Sequence, residues 1–380
     1  MKINGCCGAI VVVVVVVVVV VAQIVNGVVT ADEFSIRTVL GTGMDQINQS
    51  DDPQKINIGN PFGVEVGPDA ALYMTEVTNH RVWRYDPQTK DLRVVAGVGV
   101  AGYDGDGGSA TEAKLNEPYE VRFDQDGHLF FVEMRNHIVR RIDSKTGVIT
   151  TVAGTGEAGF GGDGGPAIKA QLNRPHSIAL DAAGNLFIAD IGNHRIRRVD
   201  RQTGLISSIA GTGDREGPVD LQPTKGQPVL GPRALYIVES TLWVALREGN
   251  SIWRIDLSRR PWTWQHVAGT GQKGFSGDGG LAKLATFNGP KGITVGPKGN
   301  VYVVDTENQV IRCIHLQDAT ITTIAGRGPD FRGFAGEGVS ARQASMGRPH
   351  GVGVDARGRV YVGDSENHRV RVIEPQAGIR

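Results

Sequence analysis

The sequence has little of several features that mark common classes of protein, and each absence removes a class. Forty Lys and Arg residues balance forty Asp and Glu residues, so the chain has no net charge that would attract nucleic acid or an anionic membrane. Only three of its 380 residues are cysteine, at positions 6, 7 and 313, and two of these precede the expected folded part. No internal disulfide is therefore expected. No segment shows the sustained hydrophobic period of a long amphipathic helix, which argues against a helical bundle.

Glycine is the residue that the chain has in excess. Its 53 glycines are about 14% of the residues, roughly twice the usual share, while 40% of the residues are hydrophobic. Such a chain is rich in turns and still has enough apolar side chains for a core. This combination excludes a disordered protein.

The N-terminal residues resemble an export signal. Lys2 is followed by an unbroken run of valines from Val11 to Val21, and small residues stand at Ala22 and Ala31. These are the parts of a secretory signal. We expect residues 1–31 to be a signal peptide cleaved after Ala31, or an uncleaved anchor that contacts the membrane through residues 10–29. The folded part, residues 32–380, is then secreted, periplasmic or on the cell surface.

The rest of the chain repeats with a nearly constant period. Strand-like segments end in a glycine at positions 41, 97, 154, 211, 269 and 326, at spacings of 56, 57, 57, 58 and 57 residues. Between two such glycines, clearest from Pro175 to Gly211, four short runs of Val, Ile, Leu and Phe alternate with turns rich in Gly, Asn and Asp. Each repeat therefore predicts four short strands.

Six repeats of four strands predict an all-β fold, a six-bladed β-propeller of four-stranded antiparallel blades. The expected blades are 62–97, 119–154, 176–211, 233–269, 291–326, and 350–379 with 35–41. The last repeat lacks a fourth strand, and residues 35–41 match the fourth strand that ends at Gly211. We expect this N-terminal strand to complete the last blade and close the ring, so that no long strand edge stays unpaired. We also expect the protein to be a monomer.

Three of the repeats carry a recognisable motif. The segments TEVTNHRVWRYD, ADIGNHRIRRVD and GDSENHRVRVIE resemble the NHL repeat, and the resemblance covers residues 35–380. Four loops between blades also carry a version of GFxGDGG. The resemblance implies a propeller like the NHL-repeat proteins of bacteria, with a fold similar to the gluconolactonase group and the peptidyl-hydroxyglycine amidating lyase.

Ligands of propellers usually bind at the mouth of the central channel, where the first strands begin. The residues after the first-strand prolines are predicted to ring this mouth, and they are Phe62, Tyr119, His176, Arg233, Lys291 and His350. Four more residues of the same strands are predicted to face the channel: Glu65, Glu120, Arg122 and Tyr236. Glu65 and Arg122 fall at the same level in adjacent blades, so we expect them to pair. The GDGG loops are expected on this same face.

Two functions fit these residues. The first is a binding scaffold for a protein, glycan or small-molecule ligand at the channel mouth, without a cofactor. The alternative is a channel-mouth lyase or hydrolase, lactonase-like or amidating-lyase-like, with His176, His350 and Tyr119 as catalytic candidates and zinc or calcium as a possible metal. Resemblance to the amidating lyase implies three histidines from alternate blades, and this sequence offers only two, on opposite sides of the ring. We therefore expect no metal ligands.

Other motifs are expected to be structural. Asp190 and Asn193, and their equivalents in other repeats, are expected to cap the turn between the second and third strands. The arginines of the third strands, such as Arg197, resemble the basic stripe by which some animal NHL propellers bind RNA, which the acidic neighbours and the export signal oppose. Trp262 and Trp264 are expected in the core, with a surface for sugar or protein as the alternative. Cys313 is expected to be packed.

Overall fold

The computed structural model describes residues 34–375; the predicted export signal, Cys6, Cys7 and residues 376–380 lie outside this range. The described residues form six antiparallel sheets of four core strands each. The innermost strands are Pro61–Val66, Pro118–Phe123, Ser177–Leu180, Pro232–Val238, Pro290–Val295 and Val352–Val354. The second strands are Leu72–Glu76, Leu129–Glu133, Leu186–Asp190, Thr241–Leu246, Val301–Asp305 and Val360–Asp364. The third strands are Arg81–Tyr85, Ile138–Ile142, Arg195–Val199, Ser251–Asp256, Val310–His315 and Arg369–Pro375. The outer strands are Leu92–Ala96, Ile149–Ala153, Ile206–Ala210, Trp264–Ala268, Thr320–Ala325 and Phe34–Leu40.

The six sheets form a closed ring. Each innermost strand contacts the innermost strands of the preceding and following sheets, and the strand of the sixth sheet contacts that of the first. The predicted six-bladed β-propeller is therefore confirmed. The short helical elements are all single 3-10 turns in loops: Ala110–Glu112, Ala167–Lys169, Ile191–Asn193, Ala282–Leu284, Thr306–Asn308, Pro329–Phe331, Ala341–Gln343 and Ser365–Asn367. No helix within residues 34–375 is long and apolar enough to cross a membrane.

The N-terminal strand closes the ring as the repeat register predicts. Phe34–Leu40 pairs antiparallel with Arg369–Pro375, with Ile36 opposite Ile373. One element was not predicted: the two-residue strand Val339–Ser340 pairs with the outside of Phe34–Leu40 and makes the sixth sheet five-stranded. The loop before the sixth blade thus covers the edge at which the ring is sealed.

The core lies between successive blades. Trp253, Trp262 and Trp264 are buried together between blades three and four, and Cys313 is buried between blades five and six. The structural interpretation of these residues is confirmed, and a surface role for the tryptophan pair is wrong because both rings are more than nine-tenths buried.

The periodic glycine has a steric cause. Gly97 ends the outer strand of blade one with φ of +93°, and a Cβ atom at this position would lie 2.3 Å from the carbonyl oxygen of His80. The corresponding glycines of the other repeats have φ between +90° and +99°. Only glycine combines this backbone conformation with such a close approach.

The prediction that the acidic residue of the turn motif caps its turn is wrong. Asp190 is fully buried, and its carboxylate accepts hydrogen bonds from the backbone N–H of Asn173 and the side chain of Asn193. It also pairs with the buried guanidinium of Arg197, at 3.4 Å. The carboxylate therefore joins the turn to the preceding loop and the third strand, because the loop packs directly over it.

In four blades one arginine of the third strand is internal. Arg140, Arg197, Arg312 and Arg371 are each 0% exposed. Each contacts a second-strand carboxylate on one side and an acidic residue of the GDGG-type loop on the other, as Arg197 contacts Asp190 and Asp163. These arginines are therefore unavailable to a partner at the surface.

The GDGG segments do not lie at the channel mouth, and that prediction is wrong. The N–H of Gly164 donates to the carbonyl of Ile206, and the N–H of Ala167 donates to that of Gly204. Both acceptors stand at the start of the outer strand, at the end away from the mouth. The loop runs down the outer strand before it returns to the next proline, since this path fills the gap between blades.

The histidine of the turn motif joins each blade to the next. The Nδ1 atoms of His80, His137, His194 and His368 accept a hydrogen bond from the backbone N–H that precedes the next first-strand proline, at 2.9 to 3.2 Å. In blades four and five, side-chain oxygens of Asn250 and Gln309 accept the equivalent bond. Six similar hydrogen bonds thus hold the rim of the mouth.

These histidines should make stability depend on pH. Burial lowers the pKa of all four, so the folded state favours neutral rings. A lowered folded-state pKa means that the stabilisation is complete above the ordinary histidine pKa of about 6.5 and is lost as the pH falls, because the folded chain then binds fewer protons than the unfolded chain. We expect the contribution of these four histidines to the free energy of unfolding to decrease between pH 7 and pH 5, measured by urea denaturation.

A matched variant isolates the turn histidines. Changing all four to Gln, the residue at position 309, keeps an acceptor that does not titrate. This variant should lose less stability than the wild type between pH 7 and pH 5, while His194→Ala should lose about 1 kcal/mol at pH 7. Equal pH dependence in the wild type and the four-Gln variant would contradict the assignment.

Candidate functional site

A cavity lies on the axis of the ring, at the end where the innermost strands begin. Its volume is about 310 Å³, at the small end of the range for ligand pockets. The six residues that follow the first-strand prolines all line it: Phe62, Tyr119, His176, Arg233, Lys291 and His350. The residues at this equivalent position of the six repeats therefore meet in one cavity, as the sequence analysis predicts.

The cavity wall also contains residues that the sequence analysis missed. These are Asn60, Arg174, Arg247, Arg348 and Glu366. Asn60, Arg174 and Arg348 immediately precede the prolines, so extending the aligned positions by one residue would have found them. Arg247 and Glu366 come from the turns between second and third strands. The pattern of strands in the sequence does not indicate that the side chains of these two residues point into the cavity.

One side of the cavity is cationic. Arg233 of blade four and Lys291 of blade five are adjacent in the ring and are only 3% and 6% exposed. The Nζ of Lys291 pairs with Glu307 at 2.8 Å, and Glu307 also pairs with Arg348. Burial lowers the pKa of Lys291 to about 8, so it is largely protonated at neutral pH.

Arg233 differs from Lys291, Arg247 and Arg348 because it has no anionic partner. Its guanidinium forms no hydrogen bond or ion pair with any residue in the range 34–375, and it lies 5.5 Å from the centre of the Tyr119 ring. Burial lowers the pKa of Arg233 to about 10, which still leaves it charged at pH 7. The guanidinium lines the cavity with only an aromatic ring beside it, so no described side chain compensates its positive charge.

The other side of the cavity is aromatic. Four neighbouring blades present a continuous row of rings: His350, Phe62, Tyr119 and His176. Phe62 stacks on His350 with 3.8 Å between ring centres, and Tyr119 meets Phe62 and His176 edge to face at 4.7 and 4.8 Å. These distances are those of favourable aromatic pairs, so the row is a preformed wall.

The two histidines of this wall are neutral bases. The Nδ1 atom of His176 lies 2.6 Å from the carbonyl oxygen of Arg174, and that of His350 lies 2.8 Å from the carbonyl oxygen of Arg348. A carbonyl only accepts, so Nδ1 carries the proton and Nε2 carries the lone pair. Burial, reinforced by nearby cations, holds the pKa of both rings well below the usual range.

The four remaining predicted residues form a cluster deeper in the channel. Arg122 pairs with Glu65 at 3.0 Å, as predicted, and with Glu120 at 2.8 Å. Its guanidinium also donates to the carbonyl of Leu235, two blades away, and lies 5.3 Å from the centre of the Tyr236 ring. Arg122 therefore reaches from blade two to blade four.

A metal centre at the cavity has little support from the side chains present. Among residues 34–375, one group of three potential ligands lies close together, Asp124, Asp126 and His128, at a turn of blade two. Asp124 accepts hydrogen bonds from the backbone of Asp126 and His128, and His128 Nδ1 accepts one from Ser144, so a tight turn accounts for the group. None of the predicted cavity residues belongs to it.

The comparisons with known proteins agree with this architecture. The NHL repeat matches residues 172–199, 287–314 and 346–373, each covering the first three strands of a blade. NHL repeat-containing protein 2 of Gallus gallus is 25% identical over 339 residues, 81% of this chain and 45% of that protein. The Arabidopsis thaliana protein SUPPRESSOR OF QUENCHING 1, chloroplastic, is 30% identical over 180 residues, 46% of this chain and 17% of that protein. The chain thus spans less than half the length of either relative.

Solved structures show the same fold. An auxiliary nutrient binding protein from Bacteroides thetaiotaomicron superimposes with a TM-score of 0.64 at 16% identity, over 90% of this chain and 76% of that one. A gluconolactonase from Xanthomonas campestris superimposes with a TM-score of 0.54 at 12% identity, over 84% of this chain and 87% of that one. The ring of blades around an axial cavity defines a six-bladed β-propeller. Three of its blades contain NHL repeats.

Proposed function

We propose that this propeller is a binding protein whose axial cavity takes a small anionic ligand. The observation that carries the proposal is Arg233, a buried cation without an anionic partner at the centre of the residues that the repeats align. A ligand carboxylate or phosphate would supply the missing charge-assisted hydrogen bonds. Lys291 stands next to it in the ring and supplies a second positive charge.

The balance of charge around the cavity supports an anion as well. Arg174, Arg233, Arg247, Lys291 and Arg348 line the cavity with one carboxylate, Glu366. Glu248 pairs with Arg247, and Glu307 pairs with Lys291 and Arg348. The cations that line the cavity thus outnumber the carboxylates paired with them, and the buried Arg233 has none. A lyase or hydrolase that uses His176, His350 and Tyr119 at the same cavity stays a prediction from the sequence.

Isothermal titration calorimetry of the full chain tests the proposal. Phosphate, sulfate, malonate and citrate would be titrated at pH 7 and low salt. At least one is expected to bind in a 1:1 ratio, with an affinity that weakens as salt screens the cations. Absence of binding by all four, together with absence of binding by aromatic carboxylates, would overturn the proposal.

We also propose that the propeller acts outside the cytoplasm. Support comes from the basic Lys2, the run Val11 to Val21 and the small residues that end at Ala31. N-terminal sequencing of the protein recovered from an exporting cell tests this. A mature chain beginning at Asp32 supports cleavage, and a chain retained in the cytoplasm with Met1 intact contradicts export.

A further inference from the structure

The six residues that follow the first-strand prolines give the axial cavity two chemically different sides, and together these sides indicate what kind of anion it takes. The cations Arg233 and Lys291 come from blades four and five, whereas the ring wall comes from blades six, one, two and three. In a ring of six, blade four lies opposite blade one and blade five opposite blade two. The cationic side therefore faces Phe62 and Tyr119 across the cavity.

The aromatic side of the cavity has surfaces and polar atoms that a ligand could contact. Phe62 and Tyr119 are only partly buried, and both line the cavity. The Tyr119 hydroxyl has no hydrogen-bond partner among the described side chains and backbone groups. His176 and His350 use their Nδ1 atoms for contacts with backbone carbonyls, so their Nε2 lone pairs remain available to a ligand. An inorganic anion such as phosphate would use the cations and leave this wall without a partner.

We propose that the ligand is a planar organic dianion, with its charged groups at Arg233 and Lys291 and its flat apolar body against Phe62 and Tyr119. This inference rests on the proposed function. One negative charge would pair with Arg233, which has no carboxylate, and the second with Lys291, which shares Glu307 with Arg348. A flat ring would stack on the aromatic wall or meet it edge to face. The cavity volume of about 310 Å³ limits the body to a small ring system.

A matched pair of ligands separates planarity from charge. Benzene-1,3-dicarboxylate and cis-cyclohexane-1,3-dicarboxylate have the same charge and nearly the same size, and only the first is flat. Titrated into the full chain at pH 7, the aromatic dianion is expected to bind about tenfold more tightly than the saturated one. Malonate serves as the dianion without a ring.

Variants then assign the preference to the wall. Phe62→Leu is expected to reduce the tenfold preference to about threefold or less, while the affinity for malonate stays within about twofold. Phe160→Leu, which changes an exposed ring outside the cavity, should keep the full preference. Should Phe62→Leu fail to fold, Tyr119→Leu is expected to give the same loss of preference.

The outcomes distinguish this inference from the proposed function. Equal affinity for the aromatic and saturated dianions, or a preference unchanged in both wall variants, would overturn the planar ligand and leave anion binding intact. Failure of every anion to bind would overturn both.

Discussion

Replacing Arg233 with Met is expected to weaken anion binding on the order of 100-fold and, at the same time, to stabilise the fold. The binding loss follows because a guanidinium with no partner in the protein would give all of its charge-assisted hydrogen bonds to the ligand, each worth about 1.5–3 kcal/mol. The gain in stability follows because the unliganded protein no longer has to bury an uncompensated charge.

The size of the stabilisation can be estimated. Replacing a buried ion pair with apolar residues of similar volume often raises stability by about 1–4 kcal/mol, and the gain for Arg233→Met is expected to be at most of this order. Titration calorimetry measures the first effect and urea denaturation without ligand measures the second. Arg254→Met is the matched control, since this half-buried arginine of the same blade bonds to Gln265 away from the cavity.

The prediction requires that anion affinity decreases while the free energy of unfolding increases. A variant that binds anions as well as the wild type would show that Arg233 does not contact the ligand. A variant that loses binding and also loses several kcal/mol of stability would show that Arg233 has a structural partner instead.

Replacing Arg197 with Met is expected to destabilise the protein by about 3–5 kcal/mol. Its guanidinium is fully buried between Asp190 and Asp163 and also donates to the backbone carbonyls of Gln171 and Gly161. Its removal leaves the fully buried carboxylate of Asp190 without its counter-charge. Arg198→Met on the same strand is the control, because Arg198 pairs with the partly exposed Asp200 and should contribute less than about 1 kcal/mol.

The deficit of the Arg197→Met variant should depend on pH. Burial already raises the pKa of Asp190 to about 6 in the folded protein. A raised folded-state pKa means that its stabilisation is present below the ordinary aspartate value and is lost as the pH rises through the folded value. Urea denaturation should therefore show a larger deficit at pH 8 than at pH 5, and an equal deficit at both would contradict an uncompensated carboxylate.

Blade four offers a way to repair this variant. At the positions of Asp190 and Arg197 it has Leu246 and Trp253, both buried, and the Trp253 indole donates to Ser251. The double change Asp190→Leu with Arg197→Trp should recover at least half of the stability that Arg197→Met loses, since the fully buried carboxylate is removed and Asp163, which also loses its partner, is partly exposed to solvent. If the double variant recovers no stability, the packing and hydrogen bonds around Asp190 and Arg197 must require these two side chains, and the loss in Arg197→Met would not come from an unpaired charge alone.

Much of the site was predictable because the repeats align equivalent positions. The prolines that open the first strands mark the residues at the channel mouth, and all six of those residues line the cavity. The pairing of Glu65 with Arg122 was predictable for the same reason. The role of Asp190 and the path of the GDGG loops were not predictable, because both depend on how a loop of one repeat packs on the next blade.

The sequence by itself determined the number of blades, the order of the strands and the closure of the ring. These follow from a period of about 57 residues, from glycines that need a left-handed backbone and from a fourth strand that is missing at one end and present at the other. Only the tertiary structure decided which charges are satisfied. Arg197 and Arg233 look alike in the sequence, but Arg197 is covered by two carboxylates and Arg233 has none. The difference arises because the groups that surround a buried charge come from residues far apart in the chain, and their distances are set by the packing of blades around the axis.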